Sequence, residues 1–279
     1  MSKKISFQGV EGAYSNLAVQ EFFPNAVSVP CKTFEIAISE AELGNVDFAM
    51  IPIENSAAGR VADIHRLLPK SKLHINHEHF QKVEHKLLIH PDTKIENIKN
   101  VISHEQALAQ CSDKIQKLDL DILVGADTAG SAKMIMEDNI LDTAAIASSL
   151  ASNIYGLKII DESFANSKNN ITRFYVMSKN ENQNYNPEKK YISSLLFAVN
   201  NTPGSLFKVM GGFATNNVNM IKLESYNYGA DFVITEFYCE IEGHPEQENT
   251  KLALNDMYHY CSKVKKLGVF EKSIYRTRQ

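Results

Sequence analysis

The stretch VDFAMIPIENS, residues 46–56, carries the strongest signal for the fold of this chain. Its first eight residues are apolar except for Asp47, and such a run is typical of a strand buried on both faces of a parallel sheet. Glu54, Asn55 and Ser56 follow at once. Polar side chains at the carboxyl end of such a strand lie where open α/β sheets bind ligands. The alternative is that Asn55 or Ser56 caps the next helix, although one cap explains only one of the three residues.

The order of strand, polar loop and helix recurs along the chain. Apolar runs at 100–103 and 122–125 alternate with helical patterns, which begin after Thr33, after Ser103 in capping-box spacing, and at Asp127. This alternation predicts βαβ units and a largely parallel sheet. Because helix N-termini carry unpaired N–H groups, the loops beside them favour a small acidic ligand.

A polar segment, KNENQNYNPEKK at 179–190, divides the chain. Pro187 prevents a helix from crossing it, so we interpret it as a linker between domains at 1–178 and 191–279. The elements predicted after the linker are strand 191–199, helix 205–215, strand 220–225, strand 232–241, helix 248–263 and strand 267–276. This is the βαββαβ, ferredoxin-like plan. Such an exposed sheet commonly pairs with a second copy, so a homodimer or homotetramer is expected.

The composition argues against several classes of protein. Among 279 residues, 29 Lys and Arg stand against 33 Asp and Glu, and no basic run is long enough to follow a nucleic-acid backbone. No apolar stretch approaches the ~18 residues of a membrane span, and no apolar segment follows the N-terminal lysines. We therefore expect a cytoplasmic protein without a nucleic-acid or membrane partner. No Gly-rich nucleotide loop is present, so no nucleotide or dinucleotide cofactor is expected.

Neither the cysteines nor the histidines form a metal-binding pattern. The four cysteines are widely spaced and include no CxxC pair, so we expect reduced thiols that pack as small apolar groups. A group of histidines likewise matches no standard ligand spacing. They are His74, His77, His79, His85 and His90. No metal site is expected.

Two loops after predicted strands carry polar groups that suit an acidic ligand. Ser103 and His104 are adjacent, so their side chains point apart and do not form a nucleophile and base, and Ser103 is equally well explained as a helix cap. Gln106 and Gln110 are spaced i, i+4 and share a helix face, from which two amides can bind a carboxylate or carbonyl. Thr128, next to Asp127, opens a further helix, where a cap is the default interpretation.

A short motif before the linker combines a hydroxyl with a cation. Thr172 can donate a hydrogen bond to a leaving oxygen if the site is dry and preorganised. Arg173 is one of three arginines before the linker, with Arg60 and Arg66. A bidentate clamp on a carboxylate would have to come from these three.

Five segments, in this order, resemble the prephenate dehydratase family. They are Gly9–Ser15, Asp47–Ser56, Ser103–Cys111, Asp127–Ala129 and Asn170–Phe174. Beyond the linker, 202–206 and 218–225 resemble the regulatory ACT domain that these enzymes carry. The resemblance covers nearly the whole chain, and the ordered set is more specific than any single motif.

The resemblance implies a two-lobed α/β catalytic domain, similar to periplasmic binding proteins, followed by a ferredoxin-like ACT domain. The chain is expected to cross between the lobes near 78 and 160, with the active site in the cleft. The implied reaction converts prephenate to phenylpyruvate, with loss of carbon dioxide and water, in phenylalanine biosynthesis. The ring becomes aromatic as the carboxylate and hydroxyl leave, so the reaction demands no metal or organic cofactor.

The resemblance also implies roles for single residues. Thr172 is the donor or acid at the leaving hydroxyl, and Asn55 or Gln110 orients that hydroxyl. A charged Glu54 beside a substrate carboxylate must be protonated or turned away. The residues expected to bind substrate are Glu54, Ser56, Ser103, Gln106, Thr128, Arg173 and Phe174.

For the ACT-like region, the resemblance implies feedback by phenylalanine. The residues expected to bind it are Asn201, Gly204, Ser205, Leu206, Asn219, Glu224 and Ser225. The sequence departs from the family here, since the usual Glu-Ser-Arg-Pro reads ESYN at 224–227. No mutase segment precedes residue 1, which implies a monofunctional enzyme. The alternatives are an arogenate dehydratase and a non-catalytic sensor of a carboxylate or amino acid.

Overall fold

The computed structural model describes residues 2–228 and 234–277. The chain forms two compact units, the first from residues up to 67 together with 79–175, and the second from 68–78 together with the residues after 175. Residues 68–78 therefore lie in the second unit, although they precede the segment that we interpreted as a linker. The catalytic role of 1–178 and the regulatory role of 191–279 stay predictions.

The first unit holds two sheets and their helices. The strands that lie in it or enter it are β1 (Lys4–Gln8), β2 (Val27–Cys31), β3 (Phe48–Asn55), β4 (Gly59–Arg60), β5 (His74–Lys82), β6 (Lys86–Ile89), β7 (Asn100–Ser103), β8 (Asp121–Val124), β9 (Thr143–Ala147), β10 (Lys158–Asp161) and β11 (Ile171–Ser178). The helices are α1 (Tyr14–Phe22), α2 (Phe34–Leu43), α3 (Ala62–Leu67), α4 (Glu105–Gln110), α5 (Ser112–Lys117), α6 (Thr128–Glu137) and α7 (Ser149–Tyr155).

The first sheet, with its helices, forms one lobe. The strand order is β5-β11-β3-β1-β2, with β4 beside β3, and β1 pairs in parallel with both β2 and β3. As the apolar run predicts, β3 is buried from Ala49 through Ile53. Helix α2 begins at the predicted cap, where the Thr33 side chain accepts a hydrogen bond from the Ile36 N–H. The parallel βαβ arrangement thus brings the ends of β1 and β3 to one edge of the sheet.

The second sheet forms the other lobe, with the order β10-β6-β9-β7-β8. Strand β7 pairs in parallel with β8 and β9, whereas β6 pairs antiparallel with β9 and β10. Apolar clusters pack on it, one including Leu87, Val101 and Ile146, the other Leu88 and Ala145. The chain passes between the two sheets at 83–85 and again at 162–170, so both loops that join the lobes border the cleft between them.

The second unit has the element order βαββαβ. Its elements are β12 (Tyr191–Val199), α8 (Ser205–Thr215), β13 (Met220–Tyr228), β14 (Ile234–Glu242), α9 (Glu248–Tyr260) and β15 (Cys261–Glu271). The strand order is β13-β14-β12-β15, and β15 also pairs with β5 at Gly268 and Ile75. An apolar core that includes Phe197, Phe213 and Met257 lies between the helices and the sheet.

The predicted boundary between the last helix and strand was wrong by several residues. Helix α9 ends at Tyr260 rather than at 263, and β15 runs over Cys261–Glu271 rather than 267–276. The early start is explained by pairing with β12, which aligns Cys261 with Val199 and Lys263 with Ala198. Lysines in this segment resemble an exposed helix face in the sequence, whereas the structure uses Lys263 and Lys265 as donors to Glu236 and to the Ser71 carbonyl.

In the described part of the chain, no helix has the length and apolar character needed to cross a membrane. The four cysteines are free thiols, and Cys31, Cys111 and Cys239 are buried. Burial raises the pKa of Cys111 to about 12 and that of Cys261 to about 11. These values keep the thiols protonated at neutral pH, as expected for groups that pack rather than react.

Candidate active site

The two lobes of the first unit enclose a cavity of about 230 Å³. It lies at the carboxyl ends of β1, β3, β7 and β8, where the parallel strands of both sheets deliver their loops. The lining residues are Gln8, Gly9, Ala13, Tyr14, Ser15, Pro52, Asn55, Val61, Val83, His85, His104, Gln106, Ala107, Gln110, Asp127, Thr128, Asn170, Thr172 and Phe174. Eleven of these nineteen residues carry an amide, hydroxyl or imidazole group, set among apolar surface.

The orientation of the Asn55 amide is set by the backbone at the end of β3. Its Oδ1 accepts hydrogen bonds from the N–H groups of Ala57 and Ala58, at 2.9 and 2.8 Å. Backbone N–H groups only donate, so Oδ1 must face them and Nδ2 must face the other way. Nδ2 then donates to Asn170 Oδ1 at 2.7 Å and to Thr172 Oγ1 at 2.9 Å. Both protons of the Asn55 amide are used.

This fixed end determines the direction of every further hydrogen bond across the cleft. Because Asn170 Oδ1 accepts from Asn55, Asn170 Nδ2 is the donor to Gln110 Oε1, at 2.7 Å. Gln110 Oε1 also lies 2.8 Å from His85 Nε2, which must therefore carry a proton and donate. The resulting chain of donors and acceptors links the first lobe, at Asn55, to the second, at Gln110.

Two donors are left over, and both border the cavity. Thr172 Oγ1 accepts from Asn55 and, among the described residues, has no acceptor for its own proton. Gln110 uses only its oxygen in this network, so its NH₂ group has no acceptor in the described parts of the chain either. Ligand oxygens in the cavity can accept from these groups without any rearrangement of the network.

Tyr14 closes the far end of the network. Its hydroxyl lies 3.0 Å from His85 Nδ1 and 2.9 Å from the Glu84 carbonyl oxygen, and the two rings make an edge contact with centroids 5.5 Å apart. Burial raises the pKa of Tyr14 and lowers that of His85. Both groups are therefore neutral at neutral pH, the hydroxyl protonated and the imidazole uncharged.

Six of the residues expected to contact substrate line the cavity. They are Asn55, Gln106, Gln110, Thr128, Thr172 and Phe174. Phe174 is buried and offers an apolar wall. Thr128 is the first residue of α6, whose cap is Asp127 as the sequence predicts, with its carboxylate accepting from the Gly130 N–H at 2.6 Å.

Glu54 and Arg173 do not line the cavity but pair with each other. Arg173 Nη1 lies 3.0 Å from Glu54 Oε1, and Arg173 is only 2% exposed. Successive side chains of a strand point to opposite faces, so Thr172 and Phe174 face the cavity while Arg173 between them faces away. The structure therefore corrects the expected contact of Arg173 with a substrate carboxylate, and it turns Glu54 away as its charge requires.

Ser56 and Ser103 hold the backbone around the cavity rather than lining it. Ser56 Oγ donates to the Asn169 carbonyl at 3.1 Å and accepts from the Ile171 N–H at 3.0 Å, which ties the start of β11 to the end of β3. Ser103 is fully buried and donates to the Ile146 carbonyl at 2.7 Å. Its predicted role as a helix cap was wrong, because His104 is the residue that caps α4.

Sequence reasoning missed three members of the network. Asn170 and Tyr14 lie within segments that resemble the family but carry no predicted role, and His85 belongs to the histidine group that matches no metal-ligand spacing. Only tertiary structure brings them to Gln110, over separations of 25 and 60 residues for His85 and Asn170. Within 2–228 and 234–277, no group of three His, Cys, Asp or Glu side chains is placed to hold a metal ion.

The residues expected to bind an effector divide between the two ends of α8. Gly204, Ser205 and Leu206 lie at its N-terminus, whereas Asn219 follows its C-terminus and donates to Glu242 Oε2 at 2.9 Å. An eleven-residue helix is about 16 Å long. One copy of the unit therefore does not gather all of these residues around one small molecule. The remaining three are Asn201, Glu224 and Ser225, of which Glu224 pairs with Lys222 at 3.1 Å.

A two-lobed α/β fold with a cleft at the carboxyl ends of its parallel strands is typical of proteins that bind small molecules between their lobes. Residues 5–182 match the sequence profile of the family described as "Prephenate dehydratase". This match spans more than half of the 279 residues, and the chain belongs to the prephenate dehydratase family.

Individual relatives agree with this membership. A protein from Komagataeibacter europaeus named bifunctional N-acyl-homoserine lactone acylase/prephenate dehydratase is 40% identical over 274 residues, which cover 98% of each chain. Arogenate dehydratase/prephenate dehydratase 1, chloroplastic, from Arabidopsis thaliana is 36% identical over 287 residues, covering 98% of this chain and 73% of that protein. The structure of a prephenate dehydratase from Arthrobacter aurescens in complex with L-Phe superposes with a TM-score of 0.87 at 24% identity, covering 96% of this chain and 90% of that one, and shows the same fold.

Proposed function

We propose that this protein converts prephenate to phenylpyruvate, carbon dioxide and water. The observation that carries the proposal is the Thr172 hydroxyl, whose oxygen accepts from the Asn55 amide and whose own proton has no acceptor among the described residues. Such a group is a hydrogen-bond donor held ready for a leaving oxygen. It is more than a sensor of carboxylates needs, because a bound carboxylate can be held by amides alone.

In this reaction the bond between the ring and its carboxylate carbon breaks, and the electron pair enters the ring as the bond to the hydroxyl breaks. The hydroxyl leaves as hydroxide and takes a proton from solvent to become water. Thr172 donates a hydrogen bond to this oxygen as negative charge develops on it, a kind of contact that typically changes rates by about 100-fold to 1,000-fold. The chain's groups therefore need to orient the substrate and stabilise one departing oxygen.

The remaining cavity groups suit the rest of the substrate. The Gln110 NH₂ and the Gln106 amide donate to its oxygens. Helix α1 begins without a side-chain cap, and Ala13, Tyr14 and Ser15 at its N-terminus line the cavity, so its unpaired N–H groups and the helix dipole favour a carboxylate there. Phe174 packs against the ring. No arginine is needed for this proposal, and none lines the cavity in the described part of the chain.

The proposal is tested by incubating the purified protein with prephenate and measuring phenylpyruvate by its absorbance in alkali. The wild type is expected to form it rapidly. Thr172→Val keeps the shape of the side chain but removes the donor, and we expect its kcat to fall by about 100-fold or more, with its circular dichroism and unfolding midpoint near the wild-type values. Thr172→Ser keeps the hydroxyl and is the matched control. Near-normal turnover in Thr172→Val would remove Thr172 from the mechanism.

The same assay, run with arogenate in place of prephenate, distinguishes the alternative substrates. Arogenate differs from prephenate only at the group that is keto or amino, and relatives include both arogenate and prephenate dehydratases by name. We expect prephenate to have the higher kcat/KM. Preference for arogenate would change the substrate while keeping the chemistry, and turnover of neither would favour the sensor.

We also propose that the chain has this one activity. The Komagataeibacter relative carries a second one in its name, so hydrolysis of an N-acyl-homoserine lactone is measured on the same preparation. In this chain the buried Ser103 hydroxyl donates to the Ile146 carbonyl, while His104 caps α4. This pair therefore does not supply an activated nucleophile. Lactone hydrolysis that persists in Thr172→Val would show a second activity.

The second unit is proposed to be an ACT domain that binds phenylalanine as a feedback effector. The βαββαβ order and the fold shared with a relative crystallised with L-Phe support this proposal. Because the candidate residues divide between the two ends of α8, two copies of the unit would have to share the ligand, which is consistent with a homodimer or homotetramer. The free thiols suit a reducing compartment, and the cytoplasm is the proposed location.

A further inference from the structure

We propose that His85 is a positioning residue that sets the orientation of the Gln110 amide, so that its NH₂ group faces the substrate. The inference rests on the proposed dehydratase function for its effect on turnover. The hydrogen-bond geometry behind it is a property of the free protein, and it can be tested without substrate.

The direction of the hydrogen bond between His85 and Gln110 is fixed by the rest of the network. Gln110 Oε1 receives Asn170 Nδ2 at 2.7 Å, and this direction follows from the backbone donors at Ala57 and Ala58. An oxygen so fixed can only accept. His85 Nε2, 2.8 Å away, is therefore protonated.

The surroundings of His85 favour this single protonation state. The residue is 3% exposed, and burial lowers its pKa, so the imidazole is neutral and carries one proton. Since Nε2 holds this proton, Nδ1 is an acceptor, and it shares the single proton of the Tyr14 hydroxyl, 3.0 Å away, with the Glu84 carbonyl oxygen, which lies 2.9 Å from that hydroxyl. The edge contact of the Tyr14 ring, at 5.5 Å between centroids, holds the imidazole plane.

This state of His85 determines which end of the Gln110 amide faces the cavity. With two donors on its oxygen, Gln110 keeps its NH₂ group on the cavity side, because a flip of the amide would set NH₂ against both donors. If His85 loses its N–H, only Asn170 opposes that flip. Neither His85 nitrogen has a donor or acceptor to spare for the substrate, so His85 acts through Gln110 rather than on the reacting atoms.

The activity test compares two replacements of His85. His85→Phe keeps an aromatic ring in the same space without the donor, and we expect kcat to fall by about tenfold, the usual scale for one buried hydrogen bond. His85→Gln places an amide N–H near the former Nε2 position and is expected to recover most of the loss. An equal loss in both variants would contradict the proposal, because it would show that only the packing of the imidazole matters.

Two controls separate positioning from structure. His79→Phe removes a similar contact, 3.2 Å between His79 Nε2 and Gln81 Oε1, from a histidine that does not line the cavity, and kcat is expected to stay unchanged. In a Gln110→Ala background, His85→Phe is expected to change kcat by less than about twofold, because the residue through which it acts is gone. A tenfold loss in that background would overturn the proposal.

A measurement without substrate tests the His85 inference independently of the proposed function. In protein labelled with ¹⁵N-histidine, the His85 signals are assigned by their absence in His85→Phe. We expect a neutral ring with the proton on Nε2. A proton on Nδ1 would overturn the inference, whichever substrate the enzyme turns over. If the proton is on Nε2 but the protein is inactive on both prephenate and arogenate, the hydrogen-bond assignment stands and the dehydratase function is rejected.

Discussion

At the scale of single residues, the site depends on the directions of hydrogen bonds more than on charge. Two backbone N–H groups orient Asn55, and Asn55 in turn orients Asn170 and occupies the oxygen of Thr172. A part-buried network whose directions are fixed by backbone donors is preorganised, so its free donors need no rearrangement during the reaction. Charge plays little part in the cavity, because Arg173 pairs with Glu54 outside it.

Asn55→Asp tests the network with almost no change of shape. The new carboxylate still accepts from the N–H groups of Ala57 and Ala58, but it offers an acceptor to Thr172 where the amide offered a donor. The Thr172 proton then turns to this carboxylate and away from the cavity, so we expect kcat to fall by about 100-fold. Steady-state kinetics with prephenate are the measurement.

The control for this change is the folded state. Thermal unfolding is measured for the wild type and for Asn55→Asp above about pH 6, where the carboxylate is ionised. We expect a single cooperative transition with a lower midpoint, because a carboxylate oxygen then faces Asn170 Oδ1 across the 2.7 Å that the amide N–H bridged. A kcat close to the wild-type value would show that the direction of the Thr172 hydroxyl is not what the reaction depends on.

At the scale of secondary-structure elements, the approach of the loop after β1 to helix α7 shapes the cavity. Gly12 has a φ of +85°, and a Cβ at this position would lie 2.8 Å from Ala151 Cα. The Ser148 hydroxyl donates to the Gly12 carbonyl at 2.6 Å, and the Tyr155 hydroxyl donates to the Glu11 carbonyl at 2.7 Å. These contacts join the two lobes of the first unit beside residues that line the cavity.

Gly12→Ala is expected to destabilise the protein by about 2–4 kcal/mol, the sum of about 1 for the left-handed backbone and about 1–3 for overpacking. Urea unfolding gives the free energy of unfolding. Gly59→Ala is the matched control, because Gly59 has a φ of +80° but no atom within 4 Å of the added Cβ. It is expected to cost only about 1 kcal/mol. Equal losses in the two variants would mean that α7 does not restrict the loop.

At the scale of the whole molecule, the compact units do not follow the order of the chain. Residues 68–78 belong with those after 175. Within that unit, Lys265 Nζ donates to the Pro69 and Ser71 carbonyls at 3.0 and 2.6 Å, and Arg276 binds the fully buried Glu78 carboxylate through two nitrogens at 2.9 and 3.0 Å. An early segment of the chain thus completes the second unit.

We therefore expect a fragment ending at residue 178 to be much less stable than the full chain. It would leave Glu78 buried without Arg276 or exposed beside the apolar Leu73 and Ile75, and loss of one partner of a buried ion pair alone costs about 3–5 kcal/mol. Urea unfolding and the binding of a hydrophobic dye are the measurements.

A cut in the segment 179–190 of the full-length protein is the control. Both pieces are then present, and we expect them to elute together on size exclusion with an unfolding midpoint close to that of the intact chain. A 1–178 fragment as stable as the intact protein would show that 68–78 does not depend on the second unit.

Local patterns in the sequence determined the elements of the fold. The apolar run before Asn55 predicted β3, the caps at Thr33 and Asp127 predicted the starts of α2 and α6, and the order of elements after 190 predicted βαββαβ. These signals depend on neighbours in the chain, so they are readable without a fold. The boundary between α9 and β15 could not be predicted from local pattern, because pairing of β15 with β12 outweighs the helical pattern of the sequence.

The sequence by itself also singled out Asn55 after a buried apolar run and Gln110 on a helix face shared with Gln106, and the family resemblance singled out Thr172. Only the tertiary structure decided which atom of each faces the cavity, that Arg173 turns to Glu54, and that His85, Tyr14 and Asn170 complete the network. The physical reason is that a hydrogen bond has a direction and a length of about 3 Å. The partners here are up to 117 residues apart in the chain, and no pattern along the chain specifies which of them meet.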